Sequence, residues 1–430
     1  MYGVVAVALS AAGLLVGQGV AQASGTTLWV STATTVSGNG TSCADPGFNT
    51  IQSAITAAPA GATIDVCAGN YTEQLQITQS VTIVGLGNVQ VTLPAAPVDS
   101  TTACDTAKGT GAFQPDQDGI AICGNADVTL NNIVVDAAWP SSTCDDSLYG
   151  ILVGGGATLT FTDSAVTAAG AYPLNGCQGG VGLQVGMSWT KPVEVGHLSM
   201  SDSWVSGYQK NGVTIDGLHS SASITYTTVT GAGPTQQIAQ NGIQVSNGAN
   251  AYIATSTITG NECSDNAAPC GSNGLTDSQS AGILFYAAER GNFVEDDVIS
   301  DNDMGLYYSA DPKTGRIKNP QVTLTGDEFV DNRYEGVTLD QGVASISSCT
   351  FKRGDVGIEV LQYSGQTFGS FSVASYDHFA STRHATVEVL SDRASGDEAG
   401  TFTITHSNIY NGKVRDNSEN LPIIHKFDTK

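Results

Sequence analysis

Residues 211–229 read NGVTIDGLHSSASITYTTV, and residues 241–258 read NGIQVSNGANAYIATSTI. Each stretch opens with a glycine and an aliphatic residue, and each later presents two apolar residues five positions apart. Short strands that return every few tens of residues indicate a solenoid, whose units bury their apolar faces by stacking on one another. The same glycine–aliphatic step occurs at Gly119-Ile120, Gly150-Ile151, Gly182-Leu183, Gly212-Val213, Gly242-Ile243, Gly282-Ile283, Gly305-Leu306, Gly336-Val337 and Gly357-Ile358.

The second strand of each unit shows the same regularity. Apolar residues five positions apart flank polar ones, as in Ile224/Val229, Ile253/Ile258 and Leu324/Phe329. We expect the glycines to form the turns that open the strands, and pairs such as Asp301-Asn302 to form the turns that end them. The units vary in length and no long helical pattern separates them. The sequence therefore predicts an all-β, single-domain solenoid, the right-handed parallel β-helix, with a short N-terminal capping helix.

The two ends of the chain differ from the repeat. Residues 1–23 are apolar and end in the small-residue site Ala21-Gln22-Ala23, which is typical of a secretion signal. Residues 24–62 form a cap, in which residues 48–58 make an amphipathic helix with Asn49 or Thr50 as N-cap. We assign residues 63–410 to the β-helix and residues 411–430 to a tail without coil pattern. No later stretch reaches the roughly 20 apolar residues that span a bilayer.

The nine cysteines favour disulfides in an exported chain, since none lies in a Cys-x-x-Cys pair. We therefore predict no metal site from cysteine or histidine spacing. Cys349 is left over as a buried thiol rather than a nucleophile. The predicted pairs are Cys43–Cys67, Cys104–Cys123, Cys144–Cys177 and Cys263–Cys270.

The formal net charge of −24 restricts the partners. A strongly acidic protein repels nucleic acid and anionic membranes, so neither is expected. A polyanionic glycan would also be repelled unless calcium bridged it to surface carboxylates. The charge thus favours a neutral glycan or a calcium-dependent site, and calcium is the one cofactor that we consider.

Residues near the N-terminus resemble a known family. The pattern Phe48-x-Thr50-Ile51-Gln52-x-Ala54-Ile55, followed by Ile64-x-Val66-x-x-Gly69-x-Tyr71-x-Glu73 and Val81-Thr82-Ile83-x-Gly85, is similar to the opening of pectinesterases and of the wider pectin lyase-like superfamily. The resemblance implies a right-handed parallel β-helix. It implies less about chemistry, because this fold hosts lyases, hydrolases, esterases, epimerases and non-enzymes.

Several catalytic motifs of that superfamily do not occur in this chain. The Gln-Asp-Thr-Leu and Asp-Phe-Ile-Phe-Gly motifs of pectinesterases are missing. So are the Gly-His-Gly of polygalacturonases and the Asp-Pro-His-Asp of mannuronan epimerases. The resemblance therefore supplies no catalytic motif for this chain.

Outward-facing positions give candidate catalytic residues. Side chains alternate along a strand, so the residue after each glycine–aliphatic step faces away from the core. In the last coils these positions include Glu359 and Glu388, with Asp340 diagonal to Glu359. Carboxylates separated by roughly 5–5.5 Å suit a retaining glycosidase, and roughly 6.5–9.5 Å suits an inverting one. We predict Glu359 as acid, with Asp340 or Glu388 as nucleophile or base.

Five further residues are candidates for substrate binding. Tyr286 and Tyr307 face outward and could form an apolar platform for a sugar ring. Asp303 and Glu335 occupy predicted turns before the same strands, where their oxygens could also hold calcium. Arg353 precedes an outward strand and is a candidate cation for neutralising a uronate.

These features favour a secreted, monomeric protein that acts on an extracellular polysaccharide, with glycoside hydrolase as the leading hypothesis. One alternative is a non-catalytic surface or matrix β-helix that binds a glycan or a protein. A further alternative is a calcium-dependent polysaccharide lyase.

Overall fold

The structure is a computed structural model. It describes residues 25–32, 36, 40–99, 116–139, 147–263, 280–310, 321–362, 370–391, 401–410, 414–418 and 424–428. The predicted signal peptide, residues 1–23, lies outside the described residues.

The described part contains one helix, α1 (Ile51–Ala57), and otherwise strands. In chain order the strands are β1 (Thr27–Val30), β2 (Ala62–Thr72), β3 (Leu75–Ile77), β4 (Val81–Thr92), β5 (Asp116–Ile122), β6 (Asp127–Asn131), β7 (Val134–Trp139), β8 (Ser147–Val153), β9 (Ala157–Thr162), β10 (Ala165–Ala171), β11 (Val181–Val185), β12 (Gly196–Ser201), β13 (Trp204–Ser206), β14 (Asn211–Asp216), β15 (Ser221–Thr225), β16 (Thr228–Thr235), β17 (Asn241–Ser246), β18 (Asn250–Ala254), β19 (Thr257–Cys263), β20 (Ala281–Tyr286), β21 (Asn292–Glu295), β22 (Val298–Ser300), β23 (Met304–Ser309), β24 (Gln321–Thr325), β25 (Glu328–Val330), β26 (Glu335–Asp340), β27 (Gly342–Ser347), β28 (Thr350–Lys352), β29 (Val356–Gln362), β30 (Ser370–Ser375), β31 (His378–Ala380), β32 (Ala385–Ser391), β33 (Thr401–Thr405), β34 (Asn408–Tyr410), β35 (Val414–Ser418) and β36 (Ile424–Asp428).

These strands form a 12-stranded sheet and a 24-stranded sheet. Each coil gives one strand to the first and two to the second, so that β14, β15 and β16 make one coil and β17, β18 and β19 the next. Corresponding strands pair in parallel, with Val213 opposite Ile243 and Ile243 opposite Ile283. These side chains are fully buried. The predicted right-handed parallel β-helix is confirmed.

The cap also has the predicted form. Helix α1 begins after Thr50, whose Oγ1 accepts a hydrogen bond from the Ser53 N–H at 3.2 Å. The Glu73 carboxylate accepts the Ile51 and Gln52 N–H groups at 2.8 and 2.9 Å, which satisfies two donors of the first helical turn. Ile51, Ala54 and Ile55 face the first coil and are buried. The helix therefore covers apolar surface at the end of the solenoid.

Two cysteine predictions are confirmed. Cys43 and Cys67 form a disulfide, and Cys349 is a buried free thiol. Cys123, Cys177 and Cys263 are also disulfide-bonded. Their predicted partners, Cys104, Cys144 and Cys270, lie outside the described residues.

The last residues differ from the expected tail. Strands β35 and β36 fall within residues 411–430, where we predicted no coil pattern. β35 pairs with β32 and β36 pairs with β33. The coil thus continues because backbone pairing does not need the glycine–aliphatic signature that is missing there.

The repeated glycines serve packing rather than turns. Gly212 and Gly242 lie inside β14 and β17, and neither has a left-handed φ. A Cβ atom on Gly242 would approach the Gly282 carbonyl oxygen and Ile258 Cγ2, each to 2.6 Å. Glycine is needed because neighbouring coils meet here too closely for any side chain.

A buried polar row runs along the corner between the two strands that each coil gives to the 24-stranded sheet. The preceding residue is often left-handed, as at Tyr226 and Asp296 with φ of 50° and 56°. Ser256 N–H donates to Asp297 Oδ1 at 2.6 Å, and Cys349 N–H donates to Asp377 Oδ1 at 2.8 Å. These bonds satisfy corner N–H groups that the sheets leave unpaired. We call this row the corner ladder; its buried members are Ser164, Ser203, Thr227, Ser256, Asp297, Asp327, Cys349, Asp377 and Ser407.

A second buried polar row lies at the corner that follows the second of these two strands in each coil. Asp301 and Asp331 are left-handed there, with φ of 53° and 55°, as their turn signature predicted. Next to them, Asn261, Asn302 and Asn332 are buried and stacked. Asn261 Nδ2 donates to Asn302 Oδ1 at 2.9 Å, and Asn302 Nδ2 donates to Asn332 Oδ1 at 3.1 Å. Amides suit this position because each can donate and accept along the stack.

The first prediction concerns the glycine row. We expect Gly242→Ala to lower the free energy of unfolding by about 1–3 kcal/mol, because the new methyl group overpacks the core. Chemical denaturation measures the change. Gly25→Ala is the matched control, since its nearest neighbour for a new Cβ is at 3.6 Å, an ordinary contact. Equal stability of the two variants would contradict this packing role.

The second prediction concerns pH. Burial raises the pKa of Asp297 to about 8 and the pKa values of Asp327 and Asp377 to about 7, from 3.8. The folded state therefore keeps protons that the unfolded state releases above about pH 4, and these residues lower stability as the pH rises to about 8. We expect less stability at about pH 8 than at about pH 5.

The matched variants are Asp297→Asn, which should weaken this pH dependence, and Asp202→Asn. Asp202 occupies an exposed corner position, so its substitution should leave the pH dependence nearly unchanged. A melting temperature that rises over the same pH interval would contradict the interpretation.

Candidate active site

The outward face of the 12-stranded sheet carries the predicted site. Neighbouring strands pair so that the residues after the glycine–aliphatic steps form one continuous row. Near the C-terminal end, Tyr307, Thr338, Glu359 and Glu388 lie opposite one another on successive strands, and Glu388 lies opposite Arg415. The register therefore brings two predicted acids onto neighbouring coils, at the strand spacing of about 4.8 Å.

Three glutamates lie on neighbouring strands near the C-terminal end of this face. Glu335, Glu359 and Glu388 are 8%, 5% and 8% exposed, and we call them the glutamate cluster. Burial and the neighbouring Glu359 charge raise the pKa of Glu335 well above its ordinary value. Burial and the Glu388 charge raise the pKa of Glu359. Buried like charges cannot all ionise cheaply, so the cluster retains protons at pH values where free glutamates have lost them.

Polar atoms without partners accompany the cluster. Glu335 Oε2 and Thr338 Oγ1 are buried and, among the described residues, accept and donate no hydrogen bond. Such an atom costs about 1–3 kcal/mol in an ordinary core. Unpartnered buried oxygens also occur elsewhere in the described residues, as at Asp377 Oδ2. Beside Glu359 they coincide with carboxyl groups of raised pKa on an outward face, a combination typical of functional sites.

Asp340 lies at the edge of the cluster and is more accessible. It follows Thr338 by two residues on β26, and Thr338 is opposite Glu359. Asp340 Oδ2 accepts hydrogen bonds from the Tyr307 and Ser309 hydroxyl groups at 3.1 and 3.2 Å. Two donors on one oxygen fix the orientation of this carboxylate.

The two tyrosines lie on neighbouring coils. Tyr286 is 42% exposed, and its opposite residue is Ser309, two positions beyond Tyr307. Tyr307 is half-buried and holds Asp340 through its hydroxyl group. The structure thus places an exposed ring beside a ring that orients a carboxylate.

Asp303 and Glu335, which were predicted to occupy turns, are both buried. Asp303 is fully buried and accepts the Cys263 and Ser280 N–H groups at 2.7 and 2.9 Å, while Arg333 Nη1 lies 3.8 Å away. Burial raises the pKa of Asp303 to about 6. Glu335 is the first residue of β26 and belongs to the glutamate cluster. Asp303 therefore links its own coil by hydrogen bonds to Cys263 and Ser280, which precede it in the chain.

Arg353 lies at a corner rather than on the face of the sheet. It is left-handed, with φ of 60°. Its Nε and Nη2 atoms donate to the two carboxylate oxygens of Asp331 at 2.7 and 2.6 Å. Arg353 thus has an aspartate partner on the neighbouring corner. Its role in substrate binding stays a prediction.

Sequence reasoning missed one contact of the cluster. His384 Nε2 lies 3.4 Å from Glu388 Oε2 and 2.8 Å from Arg415 Nη1. Arginine can only donate, so His384 Nε2 is the acceptor of this hydrogen bond. Arg415 lies in the segment taken as a tail; a parallel coil continued by one strand would have placed it opposite Glu388.

The middle of the same face is rich in amides and hydroxyl groups. Asn211 Nδ2 donates to Thr214 Oγ1 and Gln244 Oε1 at 2.9 and 3.0 Å. Asp216 is buried and accepts from the Ser188 N–H and the Ser246 hydroxyl group at 2.6 and 2.8 Å. This part of the face is neutral except for a fully engaged aspartate.

Two further observations bear on cofactors and membranes. Among the described residues, no group of three or more His, Cys, Asp or Glu side chains has a geometry that could hold a metal ion. Calcium therefore stays a prediction. The described part of the chain also has no helix that is long and apolar enough to cross a membrane.

Comparison with known proteins supports the same architecture. The family described as "Right handed beta helix region" matches residues 193–373. No curated protein matches the sequence of this chain.

Two similar solved structures are the periplasmic alginate epimerase AlgG and a point mutant of it. The first is 12% identical, with a TM-score of 0.51, and the alignment covers 89% of this chain and 84% of AlgG. The mutant is 11% identical, with a TM-score of 0.53, and the alignment covers 89% of this chain and 83% of the mutant. The chain has the right-handed parallel β-helix fold.

Proposed function

We propose that this protein is a secreted carbohydrate-active enzyme that cleaves glycosidic bonds of an extracellular polysaccharide on the outward face of the 12-stranded sheet. The observation that carries the proposal is the buried glutamate cluster, with unpartnered polar atoms beside it, next to the oriented carboxylate of Asp340. The disulfides support secretion, because such bonds persist in oxidising compartments. We infer that the protein acts as a monomer.

Glu359 is suited to general acid catalysis. A carboxyl group whose pKa is raised stays protonated near neutral pH and can give its proton to the leaving oxygen of a glycoside. Glu388 lies opposite it and disfavours its ionised form. The two residues therefore form a unit in which one carboxyl group keeps a proton.

Asp340 is suited to act as the general base that works with Glu359. Its strand position is diagonal to Glu359 on the neighbouring coil, which corresponds to a separation on the order of 7–8 Å between backbone positions. That separation is closer to the range of inverting glycosidases, about 6.5–9.5 Å, than to the range of retaining ones. In this scheme Asp340 takes a proton from water, the water oxygen bonds to the anomeric carbon, and Glu359 protonates the departing oxygen. Glu388, directly opposite Glu359, is the alternative nucleophile in a retaining scheme.

The exposed ring of Tyr286 supports sugar binding, since aromatic faces pack against the apolar faces of pyranose rings. The similar solved structures include alginate epimerases, which is consistent with action on a polysaccharide. Their polyuronate substrate fits this chain poorly, because the face is amide-rich in its middle and acidic at its end.

Two alternatives have specific support. The exposed fractions of Glu359 and Glu388 are small, which favours a non-catalytic binder if no opening admits a sugar. Arg415, which lies opposite Glu388, is a cation that a lyase could use to neutralise a uronate. A calcium-dependent lyase would release unsaturated products that absorb in the near ultraviolet, and a chelator would inhibit it.

The third prediction tests the acid. Incubation with a panel of neutral and anionic polysaccharides, with and without calcium, should release reducing sugar. We expect Glu359→Gln to lower the rate at least about 100-fold, the lower range of what general acid catalysis contributes. Its melting temperature should not fall, because glutamine removes a buried ionisable group.

Glu328→Gln is the matched control, since Glu328 is an exposed carboxylate on the other sheet, 3.5 Å from Lys352. Full activity of Glu359→Gln would remove Glu359 from the mechanism. Glycan binding without any product would favour the non-catalytic alternative.

The fourth prediction concerns the pH profile. Activity that needs protonated Glu359 should decline as the pH rises through the raised pKa of this group. Because the Glu388 charge is one cause of that raised pKa, Glu388→Gln should move the alkaline decline to lower pH. The measurement is kcat/KM against pH for both proteins. An alkaline decline that stays in place, or moves to higher pH, would contradict the coupling.

A further inference from the structure

The outside of the 24-stranded sheet carries four exposed aromatic side chains. They precede the glutamate cluster in the sequence and lie on the other sheet. Trp204, Tyr226, Tyr252 and Phe293 are 55%, 64%, 39% and 45% exposed. Each belongs to a different coil, and the four coils are consecutive. We call these four residues the aromatic strip.

The register defines how the rings are arranged. Tyr252 lies directly opposite Phe293, and Trp204 lies opposite Thr228, two residues after Tyr226. Four consecutive coils at about 4.8 Å per coil span about 14 Å along the solenoid axis. The rings also shift sideways, from Tyr252 and Phe293 on one strand of the coil, through Tyr226 at the corner, to Trp204 on the next strand. A ligand that contacts all four rings must therefore be extended.

Hydroxyl groups surround the rings. The outward positions between them on the same strands are partly exposed serines and threonines, namely Ser199, Ser201, Ser223, Thr225, Thr228, Thr230, Thr257 and Thr259. Tyr252 donates its hydroxyl hydrogen bond to Glu295 at 2.8 Å, which holds the ring in place. The surface combines flat apolar rings with groups that both donate and accept hydrogen bonds.

The charge of this surface decides among partners. The eight strands of these coils, β12, β13, β15, β16, β18, β19, β21 and β22, contain no lysine or arginine. Asp202, Glu295 and Asp296 lie at or near their corners. A polyanion such as a polyuronate, a nucleic acid or an anionic membrane would find no lysine or arginine on these strands.

A second copy of the chain fits the surface less well. Two molecules that each carry a formal charge of −24 repel one another. Protein interfaces are also depleted in serine, whereas serine is frequent here. A neutral polysaccharide has neither difficulty, since it offers apolar ring faces for stacking and hydroxyl edges for hydrogen bonds.

We propose that the aromatic strip is a second carbohydrate-binding surface that docks an extended, neutral polysaccharide, separate from the candidate active site on the other sheet. The proposal shares with the proposed function only the class of ligand, and it does not require that any bond be cleaved. Such a surface would keep the protein on an insoluble glycan while the glutamate cluster acts on chains nearby.

The fifth prediction is a retention assay with microcrystalline cellulose, chitin and starch granules as neutral probes and calcium alginate beads as the charged control. Wild-type protein should be retained on at least one neutral probe and not on alginate. The double variant Trp204→Thr and Tyr226→Ser should bind at least about tenfold more weakly, a loss of about 1.4 kcal/mol.

Tyr376→Ser is the matched control. Tyr376 is 65% exposed at the corner position equivalent to Tyr226, on a later coil, with its ring stacked on His406. This variant should be retained like the wild type, and all variants should show wild-type melting temperatures. Glu359→Gln should also be retained, which separates this proposal from failure of the proposed cleavage.

Three outcomes would overturn the proposal. The first is absence of retention on every neutral probe. The second is unchanged retention of the double variant. The third is a wild-type dimer in size-exclusion chromatography that the double variant converts to monomer, which would make the strip a self-association surface.

Discussion

Parallel backbone pairing between successive coils is the interaction on which the rest of this structure depends. It brings neighbouring strands to about 4.8 Å and fixes which residue lies opposite which. The glycine row makes this spacing possible, because a Cβ atom on Gly212 would lie 2.6 Å from the Gly242 carbonyl oxygen. Once the spacing is set, the alternation of side chains along each strand is enough to stack aliphatic rows inside the coil and polar rows outside it. The rings of Phe329, Phe351 and Phe379 stack within the core in the same way, at 5.0 and 4.8 Å.

The same stacking has a cost for ionisable groups. When an acid is repeated at one position of neighbouring coils, the two like charges lie one strand apart and repel each other. In the corner ladder this cost is reduced by backbone N–H donors, which each aspartate accepts from a neighbouring coil. Each row still leaves one carboxylate oxygen without a hydrogen-bond donor among the described residues, Asp377 Oδ2 in the corner ladder and Glu335 Oε2 in the glutamate cluster. The two rows differ in their place, since the corner ladder lies at a corner of the 24-stranded sheet and the glutamate cluster lies on the outward face of the 12-stranded sheet.

Two faces of one solenoid thus present different surfaces. The 12-stranded sheet offers amides in its middle and buried carboxyl groups towards its end. The 24-stranded sheet offers exposed rings among hydroxyl groups over four coils. Neither face presents a row of cations, which is consistent with a neutral rather than a polyuronate ligand.

The sequence alone determined the coil, its inward rows, the capping helix and the pairing of Cys43 with Cys67, because periodicity and turn chemistry are local. It also identified the outward row that contains Glu359 and Glu388, because strand alternation has a fixed period of two. Only the tertiary structure decided that Glu335 joins these residues, that Asp303 is buried and that Arg353 pairs with Asp331. It also brought Arg415 to His384 and showed that the glycines serve close packing rather than turns. These facts depend on which coils become neighbours and on what surrounds each side chain, and neither is encoded in the pattern of a single strand.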